Sequence, residues 1–536
     1  MDAKNGKTGK TTKRSYTPIM VLTLLLLGIL GFLTYRFAPL EDWKLKAGLY
    51  DDKLAILNTA DIHGNLVYNE VNGGYYTLDE VNVEMGMPLM KGLADKLAAK
   101  NKNSLFLDSG DMFHGTNEAN IEEAKGVVEA ANLMGYDAMV AGNHDFDFGF
   151  KRLMEIQKQL NYPILSGNSY SNGELAFPDY IIKQKGDLKV GIFGLTVPES
   201  LSNMNVFGET GVTFSDPEKE ARRIVDELKK EGVNVIVFVS HLGDDLDKEL
   251  VKKVSGIDVV LCGHHHWLYK EPIKIGDTYL VEAGSYSTHV GLAELYFKNG
   301  KLKHLEWSVH QTKDRSIQNE AVAKVAEVYH ALALEKGKAV VGTSKVDLDG
   351  MRTHVRTEET NLANLVTDAM REIGKADIAL LNGGGIRESI GKGNITLYDV
   401  GKPLPFVNSL MTVEVKGEMV YEAIERGLRE WPYGASNGGF LQVSGIAYTF
   451  DGSKPAGKRL ISITMNGQPL EKEKVYKVAT NDYLVEGGDN FTEFKDANKL
   501  GKGALLRDVL AAYLKEKGEV APEKEGRITV VNQRYK

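Results

Sequence analysis

The chain has 536 residues, of which 43% are hydrophobic and 26% charged, with a formal net charge of −8 and a pI near 5.9. That is the composition of a globular protein with a large core; the length points to two or three domains, and the mild acidity excludes a broad basic surface for a nucleic-acid polymer. A single cysteine, Cys262, excludes intrachain disulfides. From the N-terminus, residues 1–16 carry Lys4, Lys7, Lys10, Lys13 and Arg14 against Asp2 alone, and an apolar segment over 17–37 follows. This reads as a basic cytoplasmic tail and an uncleaved transmembrane signal anchor, with everything after residue 40 outside the cell. Secretion after signal cleavage is the alternative, and Arg36-Phe37-Ala38-Pro39-Leu40 offers no small-x-small site for it. Short apolar, partly β-branched runs at 54–57, 105–107, 138–141, 233–239 and 259–261 then read as buried strands. Helical stretches at 90–99, 123–134 and 217–230 alternate with them, as a layered α/β domain over 50–312 requires.

Directly after those runs stand Asp61-Ile62-His63, Gly110-Asp111, Gly142-Asn143-His144-Asp145, Ser240-His241 and Gly263-His264-His265-His266. Open α/β sheets collect their chemistry beyond the carboxyl ends of their strands, so these loops are expected to meet. Carboxylate, imidazole and amide oxygen suit hard or borderline divalent cations such as zinc, manganese or iron. One ion uses three or four such ligands; at least seven candidates argue for two ions, the paired device of phosphatases and nucleases. Each member alone has a bland reading: a lone His241 is ordinarily a loop or core residue, and Asp108 a turn carboxylate. Five segments in order after strands carry the inference that none carries singly.

In that order the motifs resemble the calcineurin-like metallophosphoesterases. The resemblance implies one ion held by Asp61, His63, Asp111 and His266, and a second by Asp111, Asn143, His241 and His264, with Asp111 bridging. In an extended 263–266 segment His264 and His266 would share a face and His265 would point away. The resemblance also implies that His144 faces the substrate phosphate, oriented by a carboxylate. Asp145 and Asp147 are both near enough in sequence; alignment with the nucleotidase branch favours Asp147, leaving Asp145 a supporting or turn role.

Residues 320–336 read as a helix with Val322, Val325, Ala326, Tyr329 and Leu332 on one stripe, a linker helix within 318–337. A second α/β domain follows over 338–533, with a helix at 362–371 and a strand at 378–381. Its marked stretches are Arg352-x-x-x-Arg356, Asn382-Gly383-Gly384-Gly385-Ile386-Arg387, Pro405-Phe406-Val407-Asn408, Asn481-Asp482-Tyr483 and Gly487-Gly488-Asp489. Together they resemble the C-terminal domain of secreted 5′-nucleotidases. Arg352, Arg356 and Arg387 are then the phosphate or carboxylate grip, Phe406 and Tyr483 a sandwich for the base, and Asn382, Asn408 and Asp489 further substrate contacts. Val407 and Tyr483 depart from the residues frequent in that family, which bears on base preference.

The fold expected is therefore α/β: a layered αββα metallophosphoesterase domain joined by a linker helix to an α/β nucleotide-recognition domain. The expected activity is metal-dependent hydrolysis of nucleoside 5′-monophosphates at the outer cell surface, with two divalent ions such as manganese or zinc, a nucleotide substrate and the membrane as partners, and no nucleic-acid polymer. A 2′,3′-cyclic nucleotide phosphodiesterase with 3′-nucleotidase activity and a UDP-sugar hydrolase are alternatives with the same metal site. The non-enzyme alternative is a surface nucleotide-binding protein.

Overall fold

A computed structural model describes residues 40–72, 81–198, 212–406, 408–433, 438–495 and 497–532. The basic tail at 1–16, the apolar segment at 17–37 and Val407 lie outside the described residues. Among the described residues no helix is long and apolar enough to cross a membrane.

The first domain is built on two six-stranded sheets packed face to face. In the first, β1 (Asp52–Thr59), β2 (Ser104–Asp108) and β3 (Ala138–Val140) run parallel. In the second, β4 (Val235–His241) and β5 (Val259–Leu261) run parallel. Period-2 alternation sorts their side chains into three layers of core. Leu54 and Ile56 enter the core between the sheets while Ala55 and Leu57 face helices on the outer side. Val235, Val237 and Val239 meet them from the second sheet, with Ile236 and Phe238 turned to its own outer helices. The order helix, sheet, sheet, helix follows directly. Near-continuous apolar runs are what strands buried on both faces demand.

α1 (Gly86–Ala98) and α3 (Lys125–Met134) cover the first sheet, with the short α2 (Asn117–Asn120) between them in the chain. The long α4 (Glu320–Gly337) packs on this same layer through Val322, Ala326 and Tyr329, with Val325 and Leu332 half-buried. The second domain centres on a five-stranded mixed sheet containing β6 (Ile378–Asn382). Residues on α5 (Arg352–Val355) and α6 (Leu397–Gly401) project from it toward the first domain. Strand β4 begins at Val235, opposite Val190, rather than at 233. Its register therefore makes His241 the last residue of the strand, not a loop residue beyond it.

Candidate active site

The five motif segments meet at the carboxyl ends of β1 to β5. Segment 61–64 lies beside 110–112 through backbone bonds from Asp61 N–H to Gly110 O, His63 N–H to Asp111 O and Gly64 N–H to Met112 O, 2.8 to 2.9 Å long. The approach is close enough that a Cβ on Gly110 would lie 2.8 Å from Gly142 N and from His241 Nδ1, and the positive φ of 91° there favours glycine as well. Asp61, His63 and His266 bring ligand atoms within 4.8 Å of one another, as do Asp111, His241 and His264. Asp111 Oδ2 stands between the groups, 3.2 Å from His241 Nε2 and 3.8 Å from His63 Nε2. Asn143 Oδ1 is 3.1 Å from His241 Nε2 and 2.8 Å from His264 Nδ1. All seven residues predicted as ligands thus stand together.

The segment holding His264 to His266 is a bend, not the extended strand expected: His264 has φ 78° and His266 φ 64°. The two imidazoles reach the site because the backbone folds through left-handed conformations, while His265 Nδ1 accepts from Asp244 N–H outside it. Asp61, His63 and Asp111 also have positive φ, between 50° and 56°. Non-glycine residues there are strained and persist only where the surroundings hold them.

The donor set fits divalent cations. His241 Nδ1 faces the Ser109 carbonyl at 2.6 Å, which places its proton there and turns Nε2 toward two oxygens, Asp111 Oδ2 and Asn143 Oδ1. The point between these three atoms calls for positive charge. Burial disfavours charging His241, yet Asp111 and Asp61 push its pKa up to about 10; a cation at the same point meets the demand without the proton. Buried carboxylates surround it. Burial pushes Asp61 up to about 8, with Asp111 adding to the effect, and carries Asp108 and Glu282 well above the ordinary range.

His144 opens the turn His144–Phe146, donates its backbone N–H to Asp111 Oδ1 at 2.7 Å and lines the cleft. Its Nδ1 is 2.9 Å from Asp147 Oδ2. Burial opposes a charged ring, but Asp147 and Asp111 outweigh it and raise the His144 pKa. Asp145 turns away and accepts backbone N–H bonds from Asp111, Met112, Phe113 and Gly142 at 2.8 to 3.0 Å, fixing two motif loops against each other. Asp108 is a turn carboxylate for Gly110 N–H and Thr59 Oγ1.

Across a cleft of about 770 Å³ stand the residues of the second domain. Arg352 and Arg356 are 9% and 4% exposed, so the pair is not a solvated helix face. Arg352 Nη1 reaches His266 Nδ1 at 3.2 Å and donates to Tyr286 Oη at 2.9 Å; Arg387 Nη1 donates to the same hydroxyl at 2.6 Å. Burial and the charges of Arg352 and Arg387 press the Arg356 pKa well down, the mark of a pocket built for an anion. Asn382 Nδ2 donates to Asp489 Oδ2 at 3.0 Å, and Tyr483 Oη accepts from Asp489 N–H. Asn408 and Tyr483 line the cleft with them. Phe406 lies stacked on His144 at 5.1 Å between centroids, with Arg387 over its ring at 4.8 Å. Sequence reasoning missed Tyr286, which joins Arg352 and Arg387, and His114, whose Nδ1 is 3.0 Å from Asp147 Oδ2. His114 sits three residues after Asp111, a spacing that signalled it; nothing in the sequence signals Tyr286.

The calcineurin-like phosphoesterase family model matches residues 54–268, and the 5′-nucleotidase C-terminal domain model matches 340–496. A 5′-nucleotidase of Diplobatis ommata is 30% identical over 89% of this chain and 90% of its own length. A trifunctional nucleotide phosphoesterase protein of Bacillus subtilis is 30% identical over 91% of this chain, which spans only 35% of that longer protein. The crystal structure of a 5′-nucleotidase precursor from Thermus thermophilus superposes with a TM-score of 0.78 at 33% identity, over 90% of this chain and 100% of that one.

Proposed function

The chain belongs to the 5′-nucleotidase family, and on that premise we propose that it hydrolyses nucleoside 5′-monophosphates to nucleoside and phosphate with two divalent metal ions. It is a phosphoric ester hydrolase of the 5′-nucleotidase type. The observation that carries the finer reading is a pair of buried ligand groups joined at Asp111 and facing three convergent arginines across one cleft.

Asp61, His63, Asp111 and His266 would hold one ion, and Asp111, Asn143, His241 and His264 the other, zinc by affinity order or manganese by availability. When bound, such a pair supplies Lewis acidity at the phosphoryl oxygens and lowers the pKa of the attacking water. The chain's own groups do the rest. Asp147 accepts a hydrogen bond from His144 Nδ1–H, which leaves Nε2 for the cleft; the raised pKa keeps that nitrogen a donor to the phosphoryl or leaving oxygen. Arg352, Arg356 and Arg387 grip the remaining anionic oxygens. Phe406 and Tyr483 hold the base, and Asn382, Asn408 and Asp489 its polar edges and ribose.

The basic residues at 1–16 and the apolar segment at 17–37 support a membrane-anchored enzyme with its metallophosphoesterase domain (50–312), linker helix (318–337) and substrate domain (338–533) outside the cell. The test is kcat/KM of the metal-loaded protein on AMP, 3′-AMP, 2′,3′-cyclic AMP and UDP-glucose. AMP is expected to lead. Preference for the cyclic or 3′ substrate, or for the nucleotide sugar, would replace the 5′ assignment, and nucleotide binding without turnover in any metal would make the protein a surface nucleotide binder.

A further inference from the structure

Between the two halves of the cleft lies a junction used by neither the metal groups nor the nucleotide grip. Helix α2 begins six residues after Asp111, and its N-cap Thr116 donates through Oγ1 to the Gly64 carbonyl at 2.7 Å, beside His63. Ala119 packs into the core of the first domain, while the three polar side chains of the helix leave it. Asn117 Nδ2 donates to the Tyr398 carbonyl and Asn120 Nδ2 to the Pro405 carbonyl, both at 2.8 Å. Glu118 Oε1 accepts from the Tyr398 hydroxyl and stands against His330 Nδ1, both at 2.7 Å. Tyr398 belongs to α6 of the second domain and His330 to the linker helix α4. Contact is close: a Cβ on Gly401 would lie 2.1 Å from Asn117 Oδ1.

Glu118 is only 3% exposed, and a carboxylate that deep is retained where partners satisfy it. Its partners come from two different parts of the chain, so the bonds exist only while the metal domain, linker and substrate domain are assembled. Pro405, held by the next turn of the same short helix, directly precedes Phe406 on His144. We propose that Glu118 is a positioning residue: it fixes the substrate domain on the metal domain in the arrangement that brings Phe406 and the arginine grip over His144. The nucleotide readout below rests on the function proposed above; the distance readout does not.

The experiment uses the full-length, detergent-solubilised, metal-loaded chain. Glu118→Ala is expected to lower kcat/KM for AMP about tenfold, the scale of one hydrogen bond to a charged group, chiefly through KM. Metal content should stay within about twofold, and turnover of p-nitrophenyl phosphate should fall distinctly less than that of AMP, because the ester shares the phosphoryl contacts but has no nucleoside to be gripped. Glu118→Gln, which keeps an oxygen acceptor at the same place, should restore most of the loss. Tyr398→Phe should cause part of it and add little in the Glu118→Ala background. Fluorescent labels on Lys151→Cys and Lys458→Cys, both exposed, with native Cys262 buried, should report a broadened interdomain distance in Glu118→Ala and a narrow one in the parent. An unchanged distance distribution, equal losses on the two substrates, or fully multiplicative losses in the double variant would overturn the proposal. Should Glu118→Ala fail to fold, Tyr398→Phe, which removes one hydroxyl, decides the same question. If AMP is no substrate at all, the proposed function falls while the distances still judge Glu118.

Discussion

The two walls of the cleft are made differently. On the metal-facing wall, Asp61, His63, Asp111, His264 and His266 hold positive φ, five of the seven candidate ligands; on the substrate-facing wall only Asp489, of eight candidate contacts, does so. The first wall places short side chains by bending the backbone and clamps the bends with a buried carboxylate, Asp145, and a ladder of loop bonds. The second places long side chains, arginines and aromatics, from short helices and loops, and steadies them through shared partners such as Tyr286. Backbone strain locked by surroundings suits chemistry that tolerates little displacement. Longer side chains suit a surface that must let a nucleotide in and out.

On that contrast, damage to the first wall should be near total and damage to the second selective. Chelation should abolish turnover, and Asp111→Asn should leave it near background, since Asp111 faces both ligand groups. Metal analysis beside rate measurement checks this, and full activity with normal metal content would remove Asp111 from its bridging place. His144→Ala should retain metal yet lose on the order of 10²–10⁴ in kcat; loss of metal instead would mean that the ring supports the ions rather than the substrate.

On the second wall the effects should split by substrate. Tyr483→Ala should raise the KM for AMP about tenfold, since stacking on an aromatic is worth ~1–3 kcal/mol, and spare p-nitrophenyl phosphate. Phe406→Ala should weaken AMP similarly but also slow the activated ester, because its ring rests on His144. Equal profiles for the two variants would erase that distinction.

The smallest effect should come from the support under α5. His354, between Arg352 and Arg356 in the chain, has its Nδ1 2.7 Å from Oδ2 of Asp349, which precedes the helix. The hydrogen bond to Asp349 raises the His354 pKa above 6.5 against the effect of burial, so its stabilisation is full below 6.5 and is lost as pH rises through the raised value. Burial opposes the charge on Asp349, but the His354 bond lowers its pKa below 3.8, so its share is full above 3.8 and is lost as pH falls through the lowered value. Asp349→Asn should therefore cost less than about 1 kcal/mol for this part-exposed pair. Thermal unfolding should show the cost between pH 3.8 and 6.5 and a shrinking difference at higher pH; a pH-independent loss would assign it to packing.

Much of the first wall was legible because its signal is local. A strand is an apolar run, its ligand follows within a few residues, and strand parallelism brings the ends together, as at Thr59 before Asp61 and Asp108 before Asp111. The linker helix was legible from Val322, Ala326 and Tyr329 on one stripe. Where local reasoning failed, the backbone departed from regular geometry: the bend through His264 and His266 looks like a strand end to a pattern of alternation, and the register that puts His241 inside β4 depends on its neighbour at Val190.

By itself, the sequence determined the layered α/β class, the identity and order of the candidate ligands, and the presence of a second domain rich in arginine and aromatic residues. Only the tertiary structure decided which two loops Asp145 clamps together, that Tyr286 joins two arginines, that Phe406 lies on His144, and that Glu118 meets Tyr398 and His330. The reason is separation along the chain. Residue types and short spacings carry the chemistry of a ligand, but contacts between Glu118 and Tyr398, 280 residues apart, exist only after burial of separate apolar faces has fixed where each element lies.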